Sequence, residues 1–442
     1  MKFHRMLAGH IGLTILSTAL AATQTDLSVD EAVRMGLENS KAVKISDAKL
    51  GAAAAKADEA HAARLPSLKF EGGYRRLSDV PPFEIQPPGF PNPIEVSPTV
   101  LNTYNLRVGL QQPIFTGFKL ESNAKAAEYL EEAARFDHRA TEADLLVNIK
   151  AAYWTVYQTM EVQKSVDENV TRLTAHVKEV DNLMKAGMAT RSDRLRIETQ
   201  LSNARLTQID ASNDVALAMM NLNNVIGHPL DDQWTLTSKP EEPGDARQSE
   251  SDAQSRAMSL RPDLQAMAFR VQASDQALSA VQGSWWPQVF LTGNYYYNRP
   301  NTRYLPTIDQ FKDSWDIGIQ LQFDIWNWNT TSYQSEQARA QVQQAELQLD
   351  QMRDNVTLEV KRALLTLRRS REKVKVARIG IDQADENVRT TNDRFKNGIA
   401  TSADILDADV SLLQARTNLT GSLVESEMAK AQLERAIGAM RP

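Results

Sequence analysis

One eleven-residue stretch occurs twice in this chain, starting at Lys185 and again 211 residues later at Lys396. Both copies read Lys-x-Gly-[Met/Ile]-Ala-Thr-x-x-Asp-x-Leu. In each copy a long helical pattern ends at a glycine and a second one begins at a threonine, which are residue types that end and start helices. Each copy therefore predicts the tip of a helical hairpin, at about residues 186–190 and 397–401. The chain is predicted to be two copies of one unit built around these tips.

The unit is bounded by composition as well as by the tips. We assign repeat 1 to residues 23–230, a polar linker to 231–252, and repeat 2 to 253–442. Residues 119–186 contain neither proline nor glycine, which predicts one helix on the order of 100 Å long. Apolar residues spaced four and three apart within it form a coiled-coil seam, namely Val166, Val170, Leu173, Val177, Val180 and Met184.

Segments of alternating polarity lie between the helical stretches of each repeat. They are about 67–75 and 103–113 in repeat 1, and about 287–297 and 314–326 in repeat 2. A period of two predicts strands with one apolar face, and these are close to the length that a tilted membrane strand needs. Aromatic residues lie at strand ends on the apolar faces, as they do at membrane interfaces: Tyr74, Tyr104, Tyr295, Tyr297 and Trp315. The proline-rich stretch between the first two strands is expected to be irregular.

The N-terminus carries the pattern of a secretory signal. Lys2, His4 and Arg5 precede an apolar run that ends in small residues, which predicts a signal peptide over residues 1–22. Later apolar runs are too short for a transmembrane helix, so any membrane insertion must use strands. Because four strands leave two open edges, they are expected to close a barrel with further copies of the chain. A secreted coiled-coil structural protein, with its β-hairpins as docking edges, stays open as an alternative.

Composition excludes several classes of function. The chain has no cysteine and a formal net charge of −6. It therefore cannot form disulfides or thiolate metal sites, and it has no basic stripe suited to nucleic acid. Nucleotide-binding, zinc-protease and serine-hydrolase motifs are missing from the sequence, and its histidines are scattered. We expect no enzymatic activity, no cofactor and no metal site.

Taken together, these features resemble the TolC-like outer-membrane efflux and secretion channels of Gram-negative bacteria. The resemblance is carried by the doubled tip, by Leu110–Gly117 (Leu-Gln-Gln-Pro-Ile-Phe-Thr-Gly) and by the Arg-Pro-Asp-Leu turn at 261–264. It implies a mixed α and β fold in which four strands from each protomer of a homotrimer form one outer-membrane barrel. A long periplasmic α-helical coiled-coil tunnel would continue that barrel.

The resemblance also implies a function and a set of partners. The chain would be a passive exit duct for drugs, other toxic small molecules or secreted substrates, placed among outer-membrane lipids. It would work with a periplasmic adaptor protein and an inner-membrane pump, and it would be gated at its periplasmic helix tips. A duct dedicated to metal-ion or polypeptide export stays open as an alternative.

The threonines and aspartates of the tips have a structural explanation. Thr190 and Thr401 are predicted helix N-caps, with Asp193 and Asp404 at the third helical position. Capping does not explain Asp407, whose repeat-1 equivalent is an arginine. The resemblance implies that Asp404 and Asp407 line the periplasmic constriction. Six carboxylates from three chains would then attract cations there.

One position departs from the family pattern. Some members carry an arginine between the tip glycine and threonine, where this chain has Ala400. We hypothesise that gate pairing instead involves arginines and carboxylates near the tips, with Arg191, Arg194 or Arg196 pairing with Asp404, Asp407 or Asp409, and with Asp193 as a further partner.

The glycine and the apolar residue of each tip resemble the family's adaptor contact. They are Gly187 and Met188 in repeat 1, and Gly398 and Ile399 in repeat 2. A tight turn that requires a positive φ would also select glycine at both positions, and the two interpretations are compatible.

Overall fold

The computed structural model describes residues 25–97, 99–242, 244 and 249–440. The predicted signal peptide, residues 1–22, lies outside this range. The elements are, in chain order, β1 (Thr25–Leu27), α1 (Val29–Asn39), α2 (Lys41–Ala62), β2 (Ser67–Arg76), β3 (Phe83–Ile85), β4 (Ile94–Ser97), β5 (Asn102–Phe115), α3 (Lys119–Lys185), α4 (Arg191–Ile226), β6 (Trp234–Leu236), α5 (Glu250–Leu260), α6 (Pro262–Gln282), β7 (Gln288–Arg299), β8 (Lys312–Gln322), α7 (Thr330–Lys396) and α8 (Ser402–Ala436). A short 3₁₀ turn, Gly283–Trp285, follows α6.

The internal duplication is confirmed at the level of single residues. Helices α3 and α7 both have 67 residues, and each is followed by a second helix, of 36 residues in α4 and 35 in α8. The two residues before each long helix have positive φ, at Gly117 and Phe118 in repeat 1 and at Trp328 and Asn329 in repeat 2. Helix lengths and turn conformations therefore follow the offset of 211 residues.

The four longest strands form one antiparallel sheet in the order β2-β5-β7-β8. The pairing of β5 with β7 joins the two repeats, and β2 and β8 are the edges of the sheet. The observed strands differ from the predicted ones at their ends, most at β8, which spans Lys312–Gln322 rather than 314–326. The chain turns into α7 here through the positive φ angles of Trp328 (54°) and Asn329 (60°), which lie outside the extended region.

One prediction of irregular structure is wrong, because the stretch between β2 and β5 contains the small hairpin β3–β4. The linker contains β6, which pairs in parallel with β1 and was not predicted. Trp234 fixes β6 because its buried indole Nε1 donates to Asn223 Oδ1 at 2.6 Å. Strands of three or four residues are too short for a period of two to be visible in the sequence.

The chain divides into two compact units. The first contains the segment ending at Asn39 together with Ile149–Glu242 and Val376–Val424, and it therefore holds both helix tips. The second contains Ser40–Asn148 and the remaining stretches, including the four-stranded sheet. Within the described ranges, no helix has an apolar stretch long enough to span a bilayer.

The Arg-Pro-Asp-Leu turn lies in the second unit and joins α5 to α6. Pro262 occupies the first turn of α6, and the buried Arg261 guanidinium donates to Asp263 at 2.5 Å and to Glu359 at 2.6 Å. Burial alone would raise the pKa of Asp263, but the hydrogen bond and charge of Arg261 outweigh it and lower that pKa. The motif is thus explained by a buried, fully paired arginine at a helix junction.

Candidate functional site at the paired helix tips

The two tips have the same backbone turn. In repeat 1, Gly187 N–H donates to Met184 O at 3.0 Å and Met188 N–H donates to Leu183 O at 2.8 Å. In repeat 2, Gly398 and Ile399 make the equivalent bonds to Phe395 O and Arg394 O, at 2.9 and 2.8 Å. Both glycines have φ near +74°. This is the Schellman helix end, which favours glycine because its φ is positive.

Each tip is completed by a capping box at the start of the returning helix. Thr401 donates to Asp404 Oδ2 through its backbone N–H at 2.7 Å and its hydroxyl at 2.8 Å. The N–H of Asp404 donates back to Thr401 Oγ1 at 3.3 Å. Thr190 and Asp193 make the same three bonds in repeat 1. The predicted caps are therefore present in both copies.

The caps also set the ionisation of the two aspartates. The backbone N–H and then the hydroxyl of Thr401 stabilise the carboxylate of Asp404 and lower its pKa. The hydroxyl and then the N–H of Thr190 lower the pKa of Asp193, with a smaller contribution from the charge of Arg196. Both groups are carboxylates at neutral pH.

One apolar cluster lies beneath both tips. It joins the two hairpins, because it contains residues of α3, α4, α7 and α8, among them Leu173, Val180, Ile197, Leu201, Phe395, Ile405 and Leu406. Ala400 and its repeat-1 equivalent Ala189 are partly buried against this cluster. The position that carries arginine in some family members thus has a packing role in this chain.

The predicted adaptor-contact residues lie at the surface. Met188 is 72% exposed and Ile399 is 68% exposed, and each follows the glycine of its turn. Single exposed apolar side chains are common on protein surfaces, so the exposure of Met188 and Ile399 makes them available to a partner without requiring one. A Cβ atom added at Gly187 or Gly398 would have open space around it, so only the φ angle demands glycine there.

Asp404 and Asp407 are both exposed, on the first turns of α8. They are three residues apart and therefore lie on one face of the helix. The structure thus brings the two predicted constriction residues together within the chain. The matching positions of α4 carry Asp193 and Arg196, so the repeats present opposite charges after the same cap.

Among the described residues of one chain, the arginines near the repeat-1 tip have other neighbours than the carboxylates of the repeat-2 tip. Arg194 forms ion pairs with Asp181 at 3.5 Å and with Glu198 at 3.1 Å, both in its own hairpin. Arg191 and Arg196 are exposed. Within one chain Arg194 thus pairs with carboxylates of its own hairpin. Its pairing with Asp404, Asp407 or Asp409 stays a prediction for the assembled protein.

Asp409 instead pairs with two residues of α3 that were not predicted to lie near it. Its Oδ1 accepts from Arg172 Nε at 2.7 Å, and its Oδ2 lies 3.5 Å from His176 Nε2. A signal for this contact was present, because Asp409 falls among the buried positions Leu406, Ala408 and Leu412 of α8. A charge on the apolar face of a helix requires a partner.

The described part of the chain contains no cluster of three or more histidine, aspartate or glutamate side chains that could hold a metal ion. The chemistry available at the tips is that of exposed carboxylates, ion pairs and apolar contacts. These groups can attract ions and bind partners, and they form no arrangement of nucleophile and base.

Comparison with known proteins places this arrangement in one family. The outer membrane efflux protein family matches residues 32–228 and 253–439, which are almost the two repeats. Outer membrane efflux protein BepC of Brucella suis is 27% identical over 342 residues, which are 76% of this chain and 73% of that protein. Alkaline protease secretion protein AprF of Pseudomonas aeruginosa is 20% identical over 342 residues, covering 77% and 70%.

The fold is shared with solved structures of the same kind. The outer membrane channel CmeC of Campylobacter jejuni superposes with a TM-score of 0.79 at 15% identity, covering 93% of this chain and 85% of that one. The chain belongs to the outer membrane efflux protein family. It is a passive, non-enzymatic exit duct in the outer membrane of a Gram-negative bacterium, with a large periplasmic part.

Proposed function

We propose that this chain forms a homotrimer whose periplasmic mouth is a ring of Asp404 and Asp407 carboxylates, and that the helix tips dock a periplasmic adaptor which links the duct to an inner-membrane pump. The observation that carries the proposal is the exposed pair of aspartates on the first turns of α8. Its counterpart in repeat 1 carries an arginine instead of the second carboxylate.

The sheet supports the trimer. Strands β2 and β8 have no partner on their outer edges within the described sheet. Unpaired backbone groups are too costly in a bilayer, so these edges must be closed by other chains. Pairing β8 of one protomer with β2 of the next, three times over, closes a barrel of three times four strands.

The same sheet supports contact with outer-membrane lipid. Apolar side chains are exposed along both edge strands, on the same face of the sheet: Trp315, Ile317, Ile319 and Leu321 of β8, and Leu68, Phe70 and Tyr74 of β2. Apolar side chains facing outward from a barrel, with aromatic residues at the strand ends, fit the acyl chains and the headgroup region of a bilayer.

The mouth is testable in planar bilayers. The trimer should conduct, and a trivalent cation such as hexamminecobalt(III) added on the periplasmic side should block it, because six carboxylates concentrate cations in a narrow ring. Asp407→Asn should weaken block on the order of tenfold, and Asp404→Asn with Asp407→Asn should weaken it further.

Asp193→Asn is the matched control, because it changes the capping carboxylate of the other repeat in the same way. We expect block in this variant to stay within about twofold of the parent. Unchanged block in the double variant of repeat 2 would place the constriction elsewhere.

Adaptor docking is testable because the chain has no cysteine of its own. Met188→Cys and Ile399→Cys each provide a single attachment point for a photo-crosslinker at a tip. In intact cells both should yield a crosslinked product whose partner is identified by mass spectrometry as a periplasmic adaptor. Leu206→Cys, at an exposed apolar position of α4 beyond the tip, is the control and should not yield this crosslinked product. Equal yields at all three positions would contradict docking at the tips.

For the transported substrate we favour small molecules. BepC carries the name of an efflux protein and is 27% identical, whereas the protease secretion protein AprF is 20% identical. Deletion of the chain should sensitise cells to toxic small molecules and leave protein secretion intact. Loss of a secreted protein without sensitisation would favour polypeptide export.

A further inference from the structure

Asp409 is the most buried acidic side chain near the tips, with 2% of its side chain exposed. Arg172 Nε donates to its Oδ1 at 2.7 Å, from α3 in the other repeat. Its Oδ2 is buried without a hydrogen-bond partner, although His176 Nε2 lies 3.5 Å away. Arg172 therefore provides the main compensation for a carboxylate that has lost its water.

The position of Asp409 on α8 matters for the constriction. At about 100° per residue, Asp404 and Asp407 lie about 60° apart on the helix. Asp409 is about 140° from the first and about 160° from the second, so it points to the opposite side. A rotation of α8 that moved the two exposed carboxylates would pull Asp409 away from Arg172. The buried pair thus holds α8 in one rotational position.

The duplication shows that this contact is not a general requirement of the hairpins. The repeat-1 equivalent of Asp409 is Glu198, which is only partly buried and pairs with Arg194 on its own helix. The repeat-2 equivalents of Arg172 and His176 are Gln383 and Asn387, which are uncharged. Only one of the two equivalent positions therefore has this ion pair. It joins α3 to α8, the helix that carries Asp404 and Asp407.

We infer that Arg172 and His176, acting through Asp409, are positioning residues that lock α8 and so hold the Asp404 and Asp407 ring in its closed arrangement. This inference rests on the proposed constriction at those two residues. Arg172 supplies the charge that Asp409 requires, and His176 confines its second oxygen. The lock lies within one protomer and joins the two repeats.

The test measures conductance of the trimer in planar bilayers before any activating partner is added. Arg172→Ala should raise the conductance of the closed channel at least about tenfold, because it leaves a buried carboxylate without its cation. His176→Ala should produce a smaller rise. The double variant Arg172→Asp with Asp409→Arg restores an ion pair with exchanged charges, so it should return conductance toward that of the parent. Two substitutions that merely disrupted the packing would not restore it.

A matched control exists on the same two helices. Arg416 of α8 also pairs with Glu168 of α3, but the Glu168 side chain is 41% exposed, whereas that of Asp409 is 2% exposed. Arg416→Ala should leave the closed conductance within about twofold, since a carboxylate that water can reach depends little on its ion-pair partner. A rise in this control equal to that of Arg172→Ala would overturn the lock, as would an unchanged conductance in Arg172→Ala.

Failure of the lock can be told apart from failure of the proposed constriction. Block by hexamminecobalt(III) is measured in every variant that conducts. If Asp404→Asn and Asp407→Asn weaken block but Arg172→Ala leaves the channel closed, only the lock is wrong. If block survives both asparagine substitutions, the constriction itself is misplaced. Thermal unfolding of the Arg172→Ala trimer, followed alongside, excludes a leak from an unfolded fraction, and the charge-exchange variant decides the case if Arg172→Ala does not assemble.

Discussion

The two helix tips have the same backbone conformation but present different side chains to solvent. Both end their first helix in the same Schellman turn, with φ of 74° at Gly187 and 73° at Gly398, and both start the second with the same threonine cap. Beyond the cap they diverge, because repeat 1 continues to Arg196 and repeat 2 to Asp407. The turn is held by backbone requirements that any working hairpin must meet. The solvent-exposed face carries no such requirement and is free to specialise.

The divergence extends to the buried side of the returning helix. Asp409 of α8 is tied to α3 in the other repeat, whereas Glu198 of α4 is tied to Arg194 one turn away. At these two equivalent positions, the carboxylate of repeat 1 is paired within its own hairpin, and the carboxylate of repeat 2 is paired with the other repeat. We therefore expect the position of α8, but not that of α4, to depend on this contact between the repeats.

Proline at the tip glycines should produce the largest effect, and it should be equal in the two repeats. Gly398→Pro forces φ to about −65° and removes the N–H that donates to Phe395 O, so we expect local destabilisation of about 3 kcal/mol or more. Gly187→Pro should do the same in repeat 1. Hydrogen exchange of the tip amides measures both.

Alanine at the same positions provides the control. A Cβ atom meets nothing within 4 Å at either glycine, so only the left-handed backbone is penalised, by about 1 kcal/mol. A large difference between the two repeats in either series would show that the two turns are not equivalent in the assembled protein.

Exchanging the charges at Asp407 and Arg196, where the two tips differ, should have the next largest effect, which is on cation block. Asp407→Arg gives repeat 2 the charge of repeat 1 and should reduce trivalent-cation block by more than about tenfold. The reciprocal change Arg196→Asp should alter block by less than about twofold, because only repeat 2 is proposed to form the ring. Bilayer recordings compare the two. Stronger block in Arg196→Asp would mean that both tips line the mouth.

Much of the fold could be predicted because its determinants are local. The tip glycines and the threonine caps are visible within a short window of sequence, and the offset of 211 residues appears when two such windows are compared; all are found in the structure. The four long strands were visible through their alternation, although their ends were not. The turn into α7 depends on the backbone of Trp328 and Asn329, which no polarity pattern reveals.

The missed features depend on contacts between distant residues. Arg172 and Asp409 are 237 positions apart, and nothing local to Arg172 indicates that it faces a buried carboxylate. Strand β6 is likewise held by side chains from elsewhere, through the Trp234–Asn223 bond and through Tyr153, whose hydroxyl donates to Leu27 O of β1 at 3.0 Å. Periodicity marks the apolar face of a single element, whereas the contact between two faces depends on residues far apart in the sequence.

Removing the caps should have a modest and symmetrical effect. Thr401→Ala and Thr190→Ala each lose the hydroxyl contacts of the capping box and should destabilise the first turn of the returning helix by about 1 kcal/mol. Thr401→Ser keeps the hydroxyl and should behave like the parent. Hydrogen exchange of the Asp404 and Asp193 amides reports the loss. Asymmetry between repeats would indicate that contacts across protomers support one cap.

The smallest expected effect is the response of the mouth to pH. The pKa of Asp404 is lowered from the ordinary value of 3.8 by the N–H and hydroxyl of Thr401. A lowered folded-state pKa means that the capping contribution is present above the ordinary value and is lost as pH falls through the lowered one. Cation block should therefore stay constant between about pH 8 and pH 5.

Two opposing effects act on the pKa of Asp404 in the proposed ring. The cap favours the charged carboxylate, whereas like charges brought together in a ring favour protonation and raise the pKa. A block that weakened with a midpoint above pH 5 would show that crowding in the trimer outweighs the cap. Asp193 provides the comparison, because its cap is the same and its neighbour Arg196 is a cation that lowers its pKa further. An ionisation midpoint of Asp404 well above that of Asp193, followed by carboxyl NMR, would measure directly how strongly the proposed ring crowds its charges.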